Sequence, residues 1–247
     1  LYLKQSVDRE EFSEFHLTAR VFDKLNQKER DNPAPITVIV DDENDNAPEF
    51  IGPLQFVVDE QNGPGTLVGQ LQSRDRDDPN TDHSRVQYKL LSGLSYFAIH
   101  PKSGTITTVT NTLDRETQDK QFVIVEARDR EGAANGLFTT STVTINLRDV
   151  NDNPPTFLKT PYKASIAENV GEKLILRIPV EDKDLINTPN WISKFIITKG
   201  NENGNFRIDR DPATNEGCLY VTKPLDYETS PLVRLEVLAR NEAELNS

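Results

Sequence analysis

The string Asp42-Glu43-Asn44-Asp45-Asn46-Ala47-Pro48 returns as Asp149-Val150-Asn151-Asp152-Asn153-Pro154-Pro155, 107 residues later (149 − 42). Other elements keep step with it. Asp8-Arg9-Glu10, Asp114-Arg115-Glu116 and Asp226-Tyr227-Glu228 follow one another at 106 and 112 residues, Asp75-Arg76-Asp77 and Asp182-Lys183-Asp184 at 107, and Glu60 and Glu168 at 108. Any one of these motifs alone reads as a solvated acidic turn. Recurring together in register, they make the chain a tandem array whose repeating feature is oxygen-rich side-chain chemistry.

The period divides the 247 residues into a complete unit at 51–157, a unit at 158–247 that lacks its C-terminal end, and residues 1–50, which match only the second half of a unit. Boundaries fall after each acidic string, where Pro48 and Pro154-Pro155 stiffen the chain and Phe50 and Phe157 open the next apolar run. Between the strings the sequence alternates as strands do. Val143, Ile145 and Leu147 share one face, Val123, Val125 and Ala127 another, and both faces are expected in a core. Pro101-Lys102-Ser103-Gly104 is expected to turn a hairpin with Gly104 at positive φ, and Asp211-Pro212-Ala213-Thr214-Asn215-Glu216-Gly217 to be its less regular counterpart. The pattern is that of an all-β sandwich.

Forty acidic against 28 basic residues leave a net charge of −12, which excludes nucleic acid and anionic membrane surfaces as natural partners and favours a cation. Carboxylates, Asn side chains and backbone carbonyls are what calcium takes as ligands. An EF-hand does not fit. Counting from Asp42, the loop's Gly position holds Ala47 and its Glu position holds Pro53; from Asp149 these are Pro154 and Thr160.

The combination of Asp-Arg-Glu, D-x-N-D-N-x-P, a strand-end D-x-D and an early Glu resembles the extracellular repeats of the cadherin family over nearly the whole chain. The resemblance implies tandem Greek-key, immunoglobulin-like β-sandwiches joined by calcium-binding linkers, with about three Ca2+ between consecutive units. Carried over position by position, it implies a first ligand set of Asp8, Glu10, Asn44, Asp45, Asp75, Asp77 and Asp129, with the carbonyls of Glu43, Asn46 and His83. The second set would be Glu60, Asp114, Glu116, Asn151, Asp152, Asp182, Asp184 and Asn241, with the carbonyls of Val150, Asn153 and Asn190. Two positions depart from the pattern: His83 stands where many members carry Asn, and Asn241 stands where the other units carry Asp129 and Asp23. Losing that charge is expected to weaken the nearest ion. Asn241, together with Asn190-Trp191 and the run Lys199 to Phe206, resembles third repeats of classical and desmosomal cadherins, which makes the segments the end of repeat one, repeat two and most of repeat three.

The implied function is calcium-dependent cell-cell adhesion by a soluble piece of an ectodomain, on the extracellular side of the plasma membrane at a cell junction. Its partners would be other cadherin-type ectodomains, like or unlike. A non-adhesive, calcium-stiffened stalk of a signalling or structural receptor is the alternative. No nucleophile motif or Gly-rich phosphate loop points to an enzyme, and no apolar run of membrane-spanning length or export signal occurs. The lone Cys218 allows no intrachain disulfide and is expected to be a small buried hydrophobe, with intermolecular pairing as the alternative. Trp191 is expected to pack in or near the core.

Overall fold

The computed structural model describes residues 2–29 and 32–246, and among them the only helical segment is a 3-10 turn at Arg130–Gly132. Among the described residues no helix is long and apolar enough to cross a membrane. Two compact units are present: Leu1–Val58, Asn62–Leu113 and Lys120–Asn146 form one, and Asp59–Gln61, Asp114–Asp119 and Leu147–Ser247 form the other.

The first unit opens with an antiparallel pair, β1 (Glu14–Ala19) and β2 (Ala34–Ile39), in which Phe15 faces Val38 and Leu17 faces Ile36. Apolar Phe12, Leu17, Ile36 and Ile39 in and beside this pair remain exposed. The sandwich follows, built from β3 (Glu49–Phe50), β4 (Gln55–Asp59), β5 (Leu67–Gln70), β6 (Ser73–Arg74), β7 (Gln87–Leu90), β8 (Phe97–Ile99), β9 (Thr105–Thr108), β10 (Lys120–Arg128) and β11 (Phe138–Arg148). One sheet has the order β4-β11-β10-β7, another β5-β9-β8, and β3 pairs with β6. Neighbours far apart in sequence are the mark of Greek-key crossing.

Register in the long ladder runs from Lys120 opposite Asn146 to Arg128 opposite Phe138. That pairing sends Val123, Val125, Ala127, Val143, Ile145 and Leu147 inward, all buried, and Phe97, Ile106 and Leu71 are buried as well. Each such large side chain contributes about 1.5–3 kcal/mol by leaving water. Gly104 turns the β8–β9 hairpin at φ +68°, and a Cβ there would lie 2.6 Å from the Leu71 carbonyl oxygen, so the position requires glycine twice over.

The second unit contains β12 (Thr156–Phe157), β13 (Lys173–Ile178), β14 (Val180–Glu181), β15 (Ser193–Lys199), β16 (Phe206–Arg210), β17 (Gly217–Val221) and β18 (Glu236–Asn241). Its sheets are β13-β17-β16, β15-β18 and β12-β14, around Ile178, Cys218, Leu219 and Val221. Cys218 is buried, as expected of a small hydrophobe, in a strand whose Leu219 and Val221 are buried too, while Trp191 is only half-buried. The residue at positive φ in the turn before β17 is Asn215 at 62°, not Gly217. Asn215 is chosen for its side chain as well, accepting from Ser193 N at 2.9 Å and donating to the Trp191 carbonyl at 2.8 Å. A cleft of about 560 Å³ lined by Tyr162, Ile166, Leu219, Leu225, Leu235 and Val237 opens on this unit.

Candidate metal centres

Each acidic string is bent by the same short bond, Asp45 N to the Glu43 carbonyl at 3.0 Å and Asp152 N to the Val150 carbonyl at 2.9 Å. The D-x-D segments turn through matching side-chain bonds, with Asp77 N donating to Asp75 and Asp184 N to Asp182, both at 3.0 Å. An amide then ties string to segment. Asn46 Nδ2 reaches Asp45 and Asp77 at 2.8 Å, and Asn153 Nδ2 reaches Asp152 at 2.6 Å and Asp184 at 3.0 Å.

In the first unit, oxygens of Glu10, Asp45 and Asp77 lie within 4.8 Å of one another, and so do those of Asp75, Asp77 and Asp129. Asp77 joins the two triads. Asp8 stands outside them, its Oδ1 accepting from Glu10 N at 2.9 Å. Gly136 makes room for Asp129, because a Cβ there would lie 2.6 Å from Asp129 Oδ1. In the second unit the triads are Glu60, Asp114 and Glu116, and Glu116, Asp149 and Asp184, joined at Glu116. Asp152 and Asp182 lie outside these triads, with Asp152 Oδ2 accepting from Gln61 Nε2 at 2.8 Å. Glu60 is 1% exposed and holds the backbone on both sides of it, taking Val150 N at 2.9 Å and Arg115 N at 2.7 Å.

The burial of these oxygens decides their chemistry. Asn44 Oδ1, Asp75 Oδ2 and Asp77 Oδ2 in the first set, and Asn151 Oδ1 and Asp184 Oδ2 in the second, are buried without a hydrogen-bond partner among the described residues. A buried anionic oxygen left unpaired costs several kcal/mol. The strain shows in proton affinity. Burial and the adjacent charge of Glu60 push Glu116 up to about 8, and burial with the charge of Asp182 pushes Asp184 up to about 6. Burial also raises Asp75, Asp129, Asp182 and Glu10 above the ordinary carboxylate range. Such all-oxygen sets, electron-rich and short of donors, fit a hard divalent cation and calcium in particular.

Asn241 behaves differently from the Asp129 it replaces. Its Nδ2 donates to Asp182 Oδ2 at 2.6 Å and to the Asn190 carbonyl, so that Asp182 is satisfied where Asp75 Oδ2 is not.

Several participants escaped the ligand assignment made from sequence. Asp42 and Asp149, which open the two strings, are almost fully buried and paired with Arg9 at 2.6 Å and Arg115 at 2.7 Å. Their recurrence at the 107-residue spacing was the available signal. A further triad, Glu168, Asp226 and Glu228, repeats the arrangement of Glu60, Asp114 and Glu116, with Tyr227 N donating to Glu168 at 3.3 Å as Arg115 N does to Glu60, but all three side chains are exposed.

Comparison with known proteins accords with this geometry. The Cadherin domain family profile matches residues 54–148 and 162–247. The chain is 57% identical over 239 residues to a desmocollin 2-like protein of Danio rerio, covering 97% of the chain and 26% of that protein, and 48% identical to desmocollin-3 of Bos taurus, covering 98% and 28%. It therefore spans about a quarter of the length of these curated relatives. The crystal structure of the human desmocollin-1 ectodomain superposes with a TM-score of 0.84 at 43% identity, covering 98% of this chain and 46% of that one. With its tandem β-sandwiches and repeated acidic sets, the chain belongs to the cadherin family.

Proposed function

We propose that this chain is part of a calcium-dependent cell-cell adhesion ectodomain, displayed outside the cell by a membrane-anchored parent and engaging other ectodomains of its family. The repeats would run 51–157 and 158–247, with 1–50 closing an earlier one. The observation that carries the reading is a duplication at atomic detail: in both sets the Oδ1 of the second Asx of the string (Asn44, Asn151) and the Oδ2 of the second D-x-D aspartate (Asp77, Asp184) are buried and unpartnered. Glu10, Asn44, Asp45, Asp75, Asp77 and Asp129 would hold ions in the first set, with Asp8 and the carbonyls of Glu43, Asn46 and His83. Glu60, Asp114, Glu116, Asn151, Asp152, Asp182 and Asp184 would do so in the second, with Asn241 and the carbonyls of Val150, Asn153 and Asn190. About three ions per set would balance the carboxylates.

Bound calcium would supply the positive charge that these oxygens lack. Without it, each close carboxylate pair repels by on the order of 1–4 kcal/mol, and the segments that carry them are driven apart. Ligation of only the gathered arrangement stabilises it by about 2.7 kcal/mol per site when free ion is a hundred times the dissociation constant. Extracellular modules of this kind bind at roughly 10⁻⁴ to 10⁻³ M, so they fill outside the cell and empty at cytosolic calcium. The passage from one repeat to the next stiffens accordingly.

Calorimetric titration of chelator-stripped protein tests the ion reading, and absence of heat from calcium at millimolar concentration overturns it. Aggregation of beads coated with the intact ectodomain tests the adhesive one. Clustering should be lost on chelation, and clustering indifferent to chelator contradicts it.

A further inference from the structure

We infer that Asp42 and Asp149 are positioning residues: each fastens its acidic string to the loop carrying the D-x-D ligands, so that the loop is set before any ion arrives. The inference rests on the calcium reading above.

The two carboxylates make matching contacts, with one more, from Thr81, at Asp42. Asp42 Oδ1 accepts from Asp78 N at 3.0 Å and pairs with Arg9 Nε at 2.6 Å, while its Oδ2 meets His83 Nδ1 at 2.6 Å and Thr81 Oγ1 at 3.2 Å. Asp149 Oδ1 accepts from Leu185 N at 2.8 Å and Arg115 Nε at 2.7 Å, while its Oδ2 accepts from Asn190 Nδ2 at 2.7 Å. The partners stand at equal offsets, 36 residues for the loop amide (78 − 42, 185 − 149) and 41 for the loop side chain (83 − 42, 190 − 149). The arginines repeat as well, each also pairing with the following glutamate and donating to a D-x-D carbonyl, Arg9 to Arg76 at 3.1 Å and Arg115 to Lys183 at 3.1 Å.

Two physical points follow. Asp149 has donors on both oxygens and a guanidinium beside it, which leaves it little capacity to serve an ion, unlike Asp184 with its unpartnered Oδ2. The pair with arginine is close to neutral, so it shapes the site without adding to its repulsion. His83 in place of Asn is also explained. Arg130 donates to His83 Nε2 at 3.3 Å, which leaves the ring proton on Nδ1, where it faces the same carboxylate oxygen that the Asn190 amide faces in the other set. What the position requires is a side-chain N–H, and either residue supplies it.

The test uses the whole chain, stripped of calcium and followed by amide NMR, with Asp78 and Leu185 reporting the two sets separately. Asp149→Ala should speed hydrogen exchange at Leu185 at least tenfold in the absence of ion. It should also weaken calcium binding in the second set by about 10–100-fold, as loss of an orienting partner does. Asp78 should stay within twofold of its original exchange rate. Asp42→Ala should do the converse. His83→Phe should loosen Asp78, and His83→Asn should restore it. If an alanine variant does not fold, His83→Phe and Asn190→Leu, which alter loops outside the core, carry the same test. Unchanged exchange with weakened binding would make Asp149 a ligand and overturn the assignment, and unchanged exchange with unchanged binding would show the contact to be idle. Absence of calcium uptake by the original protein would remove the ion reading, while the exchange comparison would still decide whether the aspartates fasten the loops.

Discussion

At Asp184 a single carboxylate is 2% exposed, has one oxygen unpartnered, and holds its proton up to about pH 6. Asp184→Asn keeps the shape and removes the charge. In chelator it should relieve about 1 kcal/mol of repulsion and raise the melting temperature by about 2–4 °C. In calcium it should lower the melting temperature by weakening the second set. Calorimetric scans in both conditions check the crossing of sign, and a loss of stability in both would contradict it. Asn241→Asp is the opposite experiment. It replaces a donor to Asp182 with a seventh charge, so calcium affinity in the second set should rise several-fold by titration, with lower stability in chelator. The identities of these residues were legible from the repeated motifs and the family resemblance they carry. Which of their oxygens lack donors was not, because that depends on neighbours such as Asn153 and Asn241, brought in by the fold.

Among the elements, the β10–β11 ladder gives the most direct sequence-to-core relation. Alternation placed Val123, Val125, Val143 and Ile145 inside, and each is at most 1% exposed. Ile145→Ala should therefore cost about 2–5 kcal/mol, read as a lower midpoint in urea with calcium held constant. The loop between these strands also brings Gly136 against Asp129. Gly136→Ala should weaken calcium binding in the first set at least tenfold, because the new Cβ would stand 2.6 Å from Asp129 Oδ1, and titration followed at the Asp78 amide checks it. The two hairpin turns show the limit of composition as a guide. Gly104 takes the left-handed conformation that its turn requires, but before β17 the task falls to Asn215, whose amide also spans Ser193 and Trp191. A partner 22 residues away leaves no local signal.

For the molecule as a whole, the raised carboxyls make ion-free stability depend on pH in an unusual direction. Asp184 moves from an ordinary 3.8 to about 6 on folding, and Glu116 from 4.5 to about 8. Between those limits the folded chain binds more protons than the unfolded one, so stability in chelator should fall as pH rises from about 4 to 8. With calcium present the trend should reverse, since ligation requires the deprotonated oxygens and affinity rises over the same range. Thermal melts at pH 5, 6.5 and 8, with and without chelator, distinguish these slopes, and parallel curves would exclude the assigned shifts.

The amino-acid order by itself determined the tandem period, the inward faces of the strands, the turn at Gly104 and an oxygen-rich vocabulary suited to calcium, since all of these are expressed in local spacing and alternation. The tertiary structure alone decided the division of labour among the acids. Asp42 meets Asp78 and His83, and Asp149 meets Leu185 and Asn190, only because the folded chain returns loops from 36 to 41 residues away to each acidic string. Whether a carboxylate waits for an ion or holds a loop is set by the donors within about 3 Å of each oxygen, a distance that sequence spacing does not encode.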